Sequence, residues 1–399
     1  MTWRRSNEFS KRVHFNPIDS PKDRMKIGQP FSKPGGSRQG VRIAMFAILA
    51  IAFASSAVHS LAQEKVADLK PYVPHAVPFP TGATYLRPDG SIYLTGNDLV
   101  EPLIEKLNDL FVKAHSGFRF SLHMMSSAEA ISGITSGKSA IGPIARDATF
   151  WDKEAFTSVY GYPPTDVQIG WDNTPDADHY PPGKFPPAVW VNVRNPISAL
   201  DLDQVVSIFT QGSPKGDITR WGQIAFHEAN LGNNGGDYAK REIHVYLPTL
   251  RGLPVVSTTR MRFGGYPWTA RAEYLPSIED VMNAVANDPF GIAFIGWFPI
   301  DEGWDRSVDL SQKVRLLPLS ETPDGKISRG GPGDLYPLAG GIHLMVNRAP
   351  GKPLDPWIRE YLRLALSKDG QDIISSMTAS DGFIPLDPKD IPAELRKVE

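Results

Sequence analysis

The chain changes its hydrophobic period once between Ser91 and Phe111. Ser91-Ile92-Tyr93-Leu94 alternates and reads as a strand, whereas Leu99, Val100, Leu103, Ile104, Leu107, Leu110 and Phe111 recur at helical spacing on one face. Gly96 turns the backbone between the two patterns. Asn97 or Asp98 can cap the helix by accepting a first-turn N–H, and Pro102 sits where its missing N–H costs nothing. A strand, a polar turn and a helix N-terminus leave free N–H groups pointing outward along a dipole that favours negative charge.

The unit recurs twice. Phe118–Met125 alternates as a second strand, followed by Ser126-Ser127 and a helical segment, and Ala140–Ile144 is a third strand ending at Ala145-Arg146-Asp147. In an open α/β sheet such loops, at the carboxyl ends of their strands, converge on one crevice. A cationic Arg146 with hydroxyls beside a helix N-terminus suits an oxyanion; its plainer role is an ion pair with Asp147 or Asp152. The Tyr/Pro/Asp-rich stretch from Tyr160 to Pro187 reads as a separator, and Ala188–Val193 as a strand crossing into a second lobe. Further periodic segments predict a helix over Leu202–Phe209, a strand over Ile243–Leu247, a helix over Ser277–Ala286, a buried strand at Gly291–Trp297, and a returning strand at Tyr336–Val346. A helix over Asp355–Leu366 and a shorter one from Gly370 close the pattern.

Composition changes this picture mainly by exclusion. With 399 residues the chain can bury more than one core, and a formal net charge of −2 gives no reason to expect nucleic acid as a partner. The absence of cysteine removes disulfides, thiolate chemistry and cysteine-ligated zinc. Arg42, the apolar run Ile43–Ala54 and the small residues ending Ser60-Leu61-Ala62 have the order of a secretory signal, with cleavage expected near Ala62. The run is shorter than the roughly 20 residues of a spanning helix. Residues 63–84 are Pro-rich and read as an extended arm rather than a packed element.

Several of these pieces, in this order, resemble the PstS-like family of solute-binding proteins that deliver phosphate to ABC importers. The resemblance rests on Gly142-Pro143-Ile144-Ala145-Arg146, on Val189–Ile224 with its Thr-Arg-Trp turn, on Asp288–Trp297, and most specifically on Tyr336–Leu386. It implies an α/β, two-lobed periplasmic-binding-protein-like fold, with mixed sheets flanked by helices and lobes joined by hinge strands near Val189 and Ile342. Lobe 1 is expected over 85–187 plus 340–390, lobe 2 over 188–339, and a tail over 391–399, after the 1–62 leader and the 63–84 arm. It also implies a periplasmic monomer that closes on a small oxyanion, phosphate foremost, and hands it to an ABC transporter permease. No cofactor or metal is expected. The ligand residues expected are Asn97, Asp98, Ser126, Ser127 and Arg146 from lobe 1, with Thr249 and Arg251 from lobe 2.

The departures fall on the ligand loops. Leu99 stands where the family has a hydroxyl in its first loop, Ala145 stands for the serine before Arg146, and Leu247–Pro254 lacks the family's Ser-Gly-Thr. A desolvated anion needs a dense shell of donors, so these losses weaken phosphate binding or change the ligand. The competing reading is a degenerate relative serving as a secreted sensor or interaction module, using aromatics such as Trp171, Tyr180, Tyr266, Trp268 and Trp304. An enzyme is not expected. The histidines are scattered, no HExxH or GxSxG motif occurs, and His123 and His343 read as core or cleft-lining residues.

Overall fold

The strand–turn–helix at Ile92–Phe111 sets the pattern for the first half of the molecule. In a computed structural model that describes residues 66, 68–173, 187–224, 235–249, 264–296, 312–331 and 333–399, β1 (Ile92–Gly96) leads through a short turn into α1 (Glu101–Ala114). β2 (Phe120–Met124), α2 (Ser127–Thr135), β3 (Gly142–Ile144), α3 (Phe150–Tyr160) and β4 (Thr165–Asp172) follow. β1 and β2 pair in parallel, and β1 lies beside β3, tied by Asn97 N–H to Pro143 O at 3.0 Å and Ala140 N–H to Tyr93 O at 3.2 Å. The chain then leaves and builds β5 (Pro187–Asn192), β6 (Leu200–Asp201), α4 (Leu202–Phe209), β7 (His244–Pro248), β8 (Glu273–Leu275), α5 (Ile278–Asn287), β9 (Gly291–Gly296), β10 (Val314–Leu316) and β11 (Leu319–Ser320). It returns in β12 (Gly340–Val346), α6 (Pro356–Ala365), α7 (Lys368–Ser376) and β13 (Phe383–Pro385).

Among the described residues two larger sheets, the two-stranded pairs β1-β2 and β6-β11, and two main apolar cores result. The first sheet continues from β3 in the order β3-β12-β4-β13, all antiparallel, and its core joins Ile92, Leu103, Leu107 and Phe111 to Ile342, Trp357 and Tyr361. The second sheet has the order β10-β5-β9-β7-β8, and its core joins Val189, Trp190, Ile208, Trp221, Val281 and Phe294. β5 is buried along its whole length, so it carries an unbroken apolar run instead of an alternating one. Two helices start at reciprocal capping boxes, Asp201 with Gln204 at α4 and Ser277 with Asp280 at α5.

Several elements lie where none was expected, β4 and α3 among them, and the expected tail over 391–399 holds a short helix at Ile391–Arg396. The separator Tyr160–Pro187 contains β4, which pairs with β12 along seven residues and with β13. Its alternating Val167, Ile169 and Trp171 are bracketed by Pro163-Pro164 and an acidic, proline-bearing run, which conceals the period. α3 buries only Asp152 and Phe156, so its sequence has almost no apolar stripe to read.

Asn173, fully buried at the end of β4, ties the outgoing and returning chain. Its Oδ1 accepts the Tyr336 N–H at 2.9 Å, and its Nδ2 donates to Gly331 O at 3.0 Å and Asp334 O at 3.1 Å. The Tyr336 hydroxyl then donates to Leu317 O at 2.8 Å inside the second core. Val189 and Ile342 sit mid-strand in β5 and β12, and the tie falls just outside them.

The arm corrects an expectation. Its described part, from residue 68, runs without regular structure but is packed: Leu69, Tyr72, Val77 and Phe79 lie against the first core. The buried Glu360 carboxylate accepts from the Tyr72 hydroxyl at 2.8 Å, the His75 N–H at 2.9 Å and Arg363 at 2.7 Å. Burial opposes the charge on Glu360, yet these donors hold its pKa below the usual carboxylate range. The leader and signal segment lie outside the described residues. Among the described residues no helix is long and apolar enough to cross a membrane.

Candidate functional site

Three loops meet at Gly96. Its carbonyl accepts from the Met125 N–H at 2.8 Å and the Ser126 N–H at 2.9 Å, which joins the second loop to the first. Asn97 N–H reaches Pro143 O and so brings in the third strand. The position has no room for a side chain: a Cβ there would lie 2.7 Å from Met124 Sδ and 2.9 Å from Pro143 O.

Asn97 caps the turn before α1, its Oδ1 accepting the Leu99 N–H at 2.9 Å. Its Nδ2 donates to Ser127 Oγ at 3.2 Å, and Asp98 beside it is exposed. Ser126 caps α2 by accepting the Glu129 N–H at 3.2 Å, which leaves its hydroxyl proton to donate elsewhere; Ser127 is buried. The structure thus brings Asn97, Asp98, Ser126 and Ser127 together at the ends of two adjacent strands.

Arg146 lies on the third loop but is already engaged. It donates to Asp152 at 2.6 and 3.3 Å and to Asp147 O at 3.0 Å. Asp152 is also the box residue of α3, accepting the Thr149 hydroxyl at 2.7 Å and the Thr149 N–H at 2.8 Å. Burial raises the cost of charging Asp152, but the Arg146 hydrogen bond and charge, with Thr149, hold its pKa below the ordinary value. The guanidinium keeps Nε–H and one further N–H for other acceptors, although its charge is compensated.

Behind this loop His343 is the core or cleft-lining residue the sequence suggests, in a pairing the sequence does not announce. His343 on β12 is buried, its Nδ1 2.6 Å from Asp166 Oδ1 and its Nε2 3.3 Å from Asp147 Oδ1. Burial disfavours the imidazolium, but the hydrogen bonds and charges of Asp147 and Asp166 prevail and raise the His343 pKa to about 9. The imidazolium therefore anchors the Arg146-Asp147 loop to β12 and β4. Its two carboxylates come from far-separated segments, so no local motif exists to find. His123, by contrast, is exposed on β2 and stacks on Tyr93, which corrects its reading as a core or cleft-lining residue.

In the second half Thr249 follows β7, its N–H bonded to Leu275 O at 2.8 Å and its hydroxyl to Pro276 O at 3.2 Å. Arg251 lies outside the described residues, as do Tyr180 and Trp304. Trp171 and Trp268 pack onto the first and second cores and Tyr266 is half-buried, so none of the three is a free surface aromatic. Among the described residues no group of three or more His, Asp or Glu side chains could hold a metal ion.

No family model matches the chain. The phosphate-binding protein PstS of Pseudomonas aeruginosa, in strains PAO1 and UCBPP-PA14 alike, is 26% identical over 312 residues, covering 75% of this chain and 84% of the relative. Among solved structures, an ABC-type phosphate transport receptor from Vibrio cholerae is 16% identical with a TM-score of 0.41, covering 74% of this chain and all of that one (100%). PstS from Borrelia burgdorferi is 14% identical with a TM-score of 0.39, covering 73% of this chain and 97% of that one. Superpositions this loose add nothing to the fold described above.

Proposed function

We propose that this chain, a PstS-like family member, is a periplasmic solute-binding protein that captures a small oxyanion, phosphate foremost, for an ABC importer. The observation that carries the reading is the joining of three strand-to-helix loops at Gly96 and Asn97, each loop ending at a capped helix. Similarity to the Pseudomonas protein over three quarters of the chain supports it.

The lobes are 85–187 with 340–390, and 188–339, and closure swings one toward the other about the tie at Asn173. The Asp98 backbone N–H and the Ser126 hydroxyl supply donors, with Ser127 and Asn97 exchanging their mutual bond for bonds to the ion. Arg146 gives its remaining N–H groups while keeping Asp152. Asp98 accepts from a protonated oxyanion, and Thr249 and Arg251 complete the shell from the second lobe. The permease partner, the monomeric state and export through the leader belong to the same reading.

The test is calorimetric. The chain is exported with its own leader, purified, freed of ligand by partial unfolding and dialysis, and titrated with phosphate. Saturable binding that weakens in Arg146→Ala supports the reading; no heat and no thermal shift with phosphate removes it.

A further inference from the structure

The loops that carry the polar groups also carry large apolar side chains in water. Met125, immediately before the Ser126 cap, is 63% exposed; Phe150 and Trp151, the first residues of α3, are 51% and 77% exposed. Leu99 adds a half-buried side chain on the first loop. These positions belong to one rim. The Tyr160 hydroxyl donates to Thr135 O at 3.0 Å, so the C-termini of α2 and α3 adjoin, and Phe156 packs with Ile131 and Ile134. The two helices follow β2 and β3, both aligned in parallel with β1, so their N-termini face the same end. Phe150 and Trp151 meet edge to face, with centroids 5.3 Å apart at 75°, and so present two aromatic surfaces instead of filling a gap.

An inorganic oxyanion has no use for such a rim, since its whole surface is polar and strongly hydrated. The charge available to it here is also small, because Arg146 is compensated by Asp152 and Asp98 stands exposed nearby. An anion that carries an apolar group meets both halves of this surface. We propose that the ligand is an organic oxyanion, a phosphate monoester or phosphonate with an aromatic or branched apolar substituent. Its anionic end sits at the Asn97–Ser126 loops and its substituent rests on Trp151, Phe150 and Met125. This inference depends on the oxyanion reading of the site.

Titrating the exported full-length protein with inorganic phosphate and with phenyl phosphate decides it. Phenyl phosphate binds at least tenfold more tightly in the parent. In Trp151→Ala the ratio of the two affinities falls toward one, and in Trp151→Phe most of it returns. Equal affinities in the parent, or an unchanged ratio in Trp151→Ala, overturn the proposal while leaving the oxyanion reading intact, and assign the rim to lobe closure or a protein partner. Binding of neither ligand removes both.

Discussion

The corner at Asn97 and the corner at Arg146 are made of the same parts, a buried strand, a short turn and a capped helix, yet they differ in how much polarity remains to be used. At Asn97 the caps take one acceptor each, while the Asn97 amide and the Ser126 and Ser127 hydroxyls keep exchangeable bonding capacity. At Arg146 the guanidinium, Asp152 and Thr149 satisfy one another, and His343 fixes the loop from behind. All three caps are neutral side chains; what closes the second corner is the carboxylate of Asp152, which completes the Thr149 capping box and pairs with Arg146. The residue with the most obvious charge is thus the one whose charge is already compensated.

The sharpest way to break this contrast is to remove the support of the closed corner. The folded pKa of His343, about 9, lies above its unfolded value of about 6.5. Its contribution is therefore fully present below pH 6.5 and is lost as pH rises through 9, a span worth on the order of 3 kcal/mol. His343→Gln should lower stability at neutral pH by about that amount and abolish the fall between pH 6.5 and 9. Denaturant titrations at several pH values measure both.

Asp152→Asn opens the corner by freeing the Arg146 charge. The pair is largely buried, so a loss of about 2 kcal/mol in stability is expected. Phosphate affinity should rise by roughly three- to tenfold as the arginine turns to the ligand. Unchanged affinity in a folded variant would show that Arg146 does not face the ion. Gly96→Ala attacks the joint shared by the loops: the close approach to Met124 and Pro143 requires displacement costing about 1–2 kcal/mol, with weakened phosphate binding. Asn97→Ala, the mildest, removes a cap worth about 1 kcal/mol and should weaken phosphate binding more than it lowers stability.

Much of this was legible where one periodicity dominates. The helical stripe Leu103–Phe111, the buried run Ala188–Val191 and the periodic segments Leu202–Phe209 and Ser277–Ala286 each announce an element that the fold contains. β4 was hidden because prolines and acids crowd a short alternating run, and α3 because it leans on the fold through little more than Phe156 and Asp152. The choice of Arg146 between Asp152 and a ligand is a matter of three-dimensional reach, for which spacing gives only candidates. The exposed aromatics were sought at Trp171 and Trp268, but tryptophans on or near strands tend to be drawn into cores. The exposed pair at Phe150-Trp151 sits on a helix end that the pattern did not reveal.

Hydrogen exchange of the ligand-free protein, with and without saturating phosphate, tests the account most directly. Peptides covering residues 96–101 and 125–130 should gain protection together on adding phosphate, because an ion held by both loops suppresses the local opening that exposes their amides. Binding detected by calorimetry without protection in either peptide would place the ion elsewhere and contradict the assignment of the open corner.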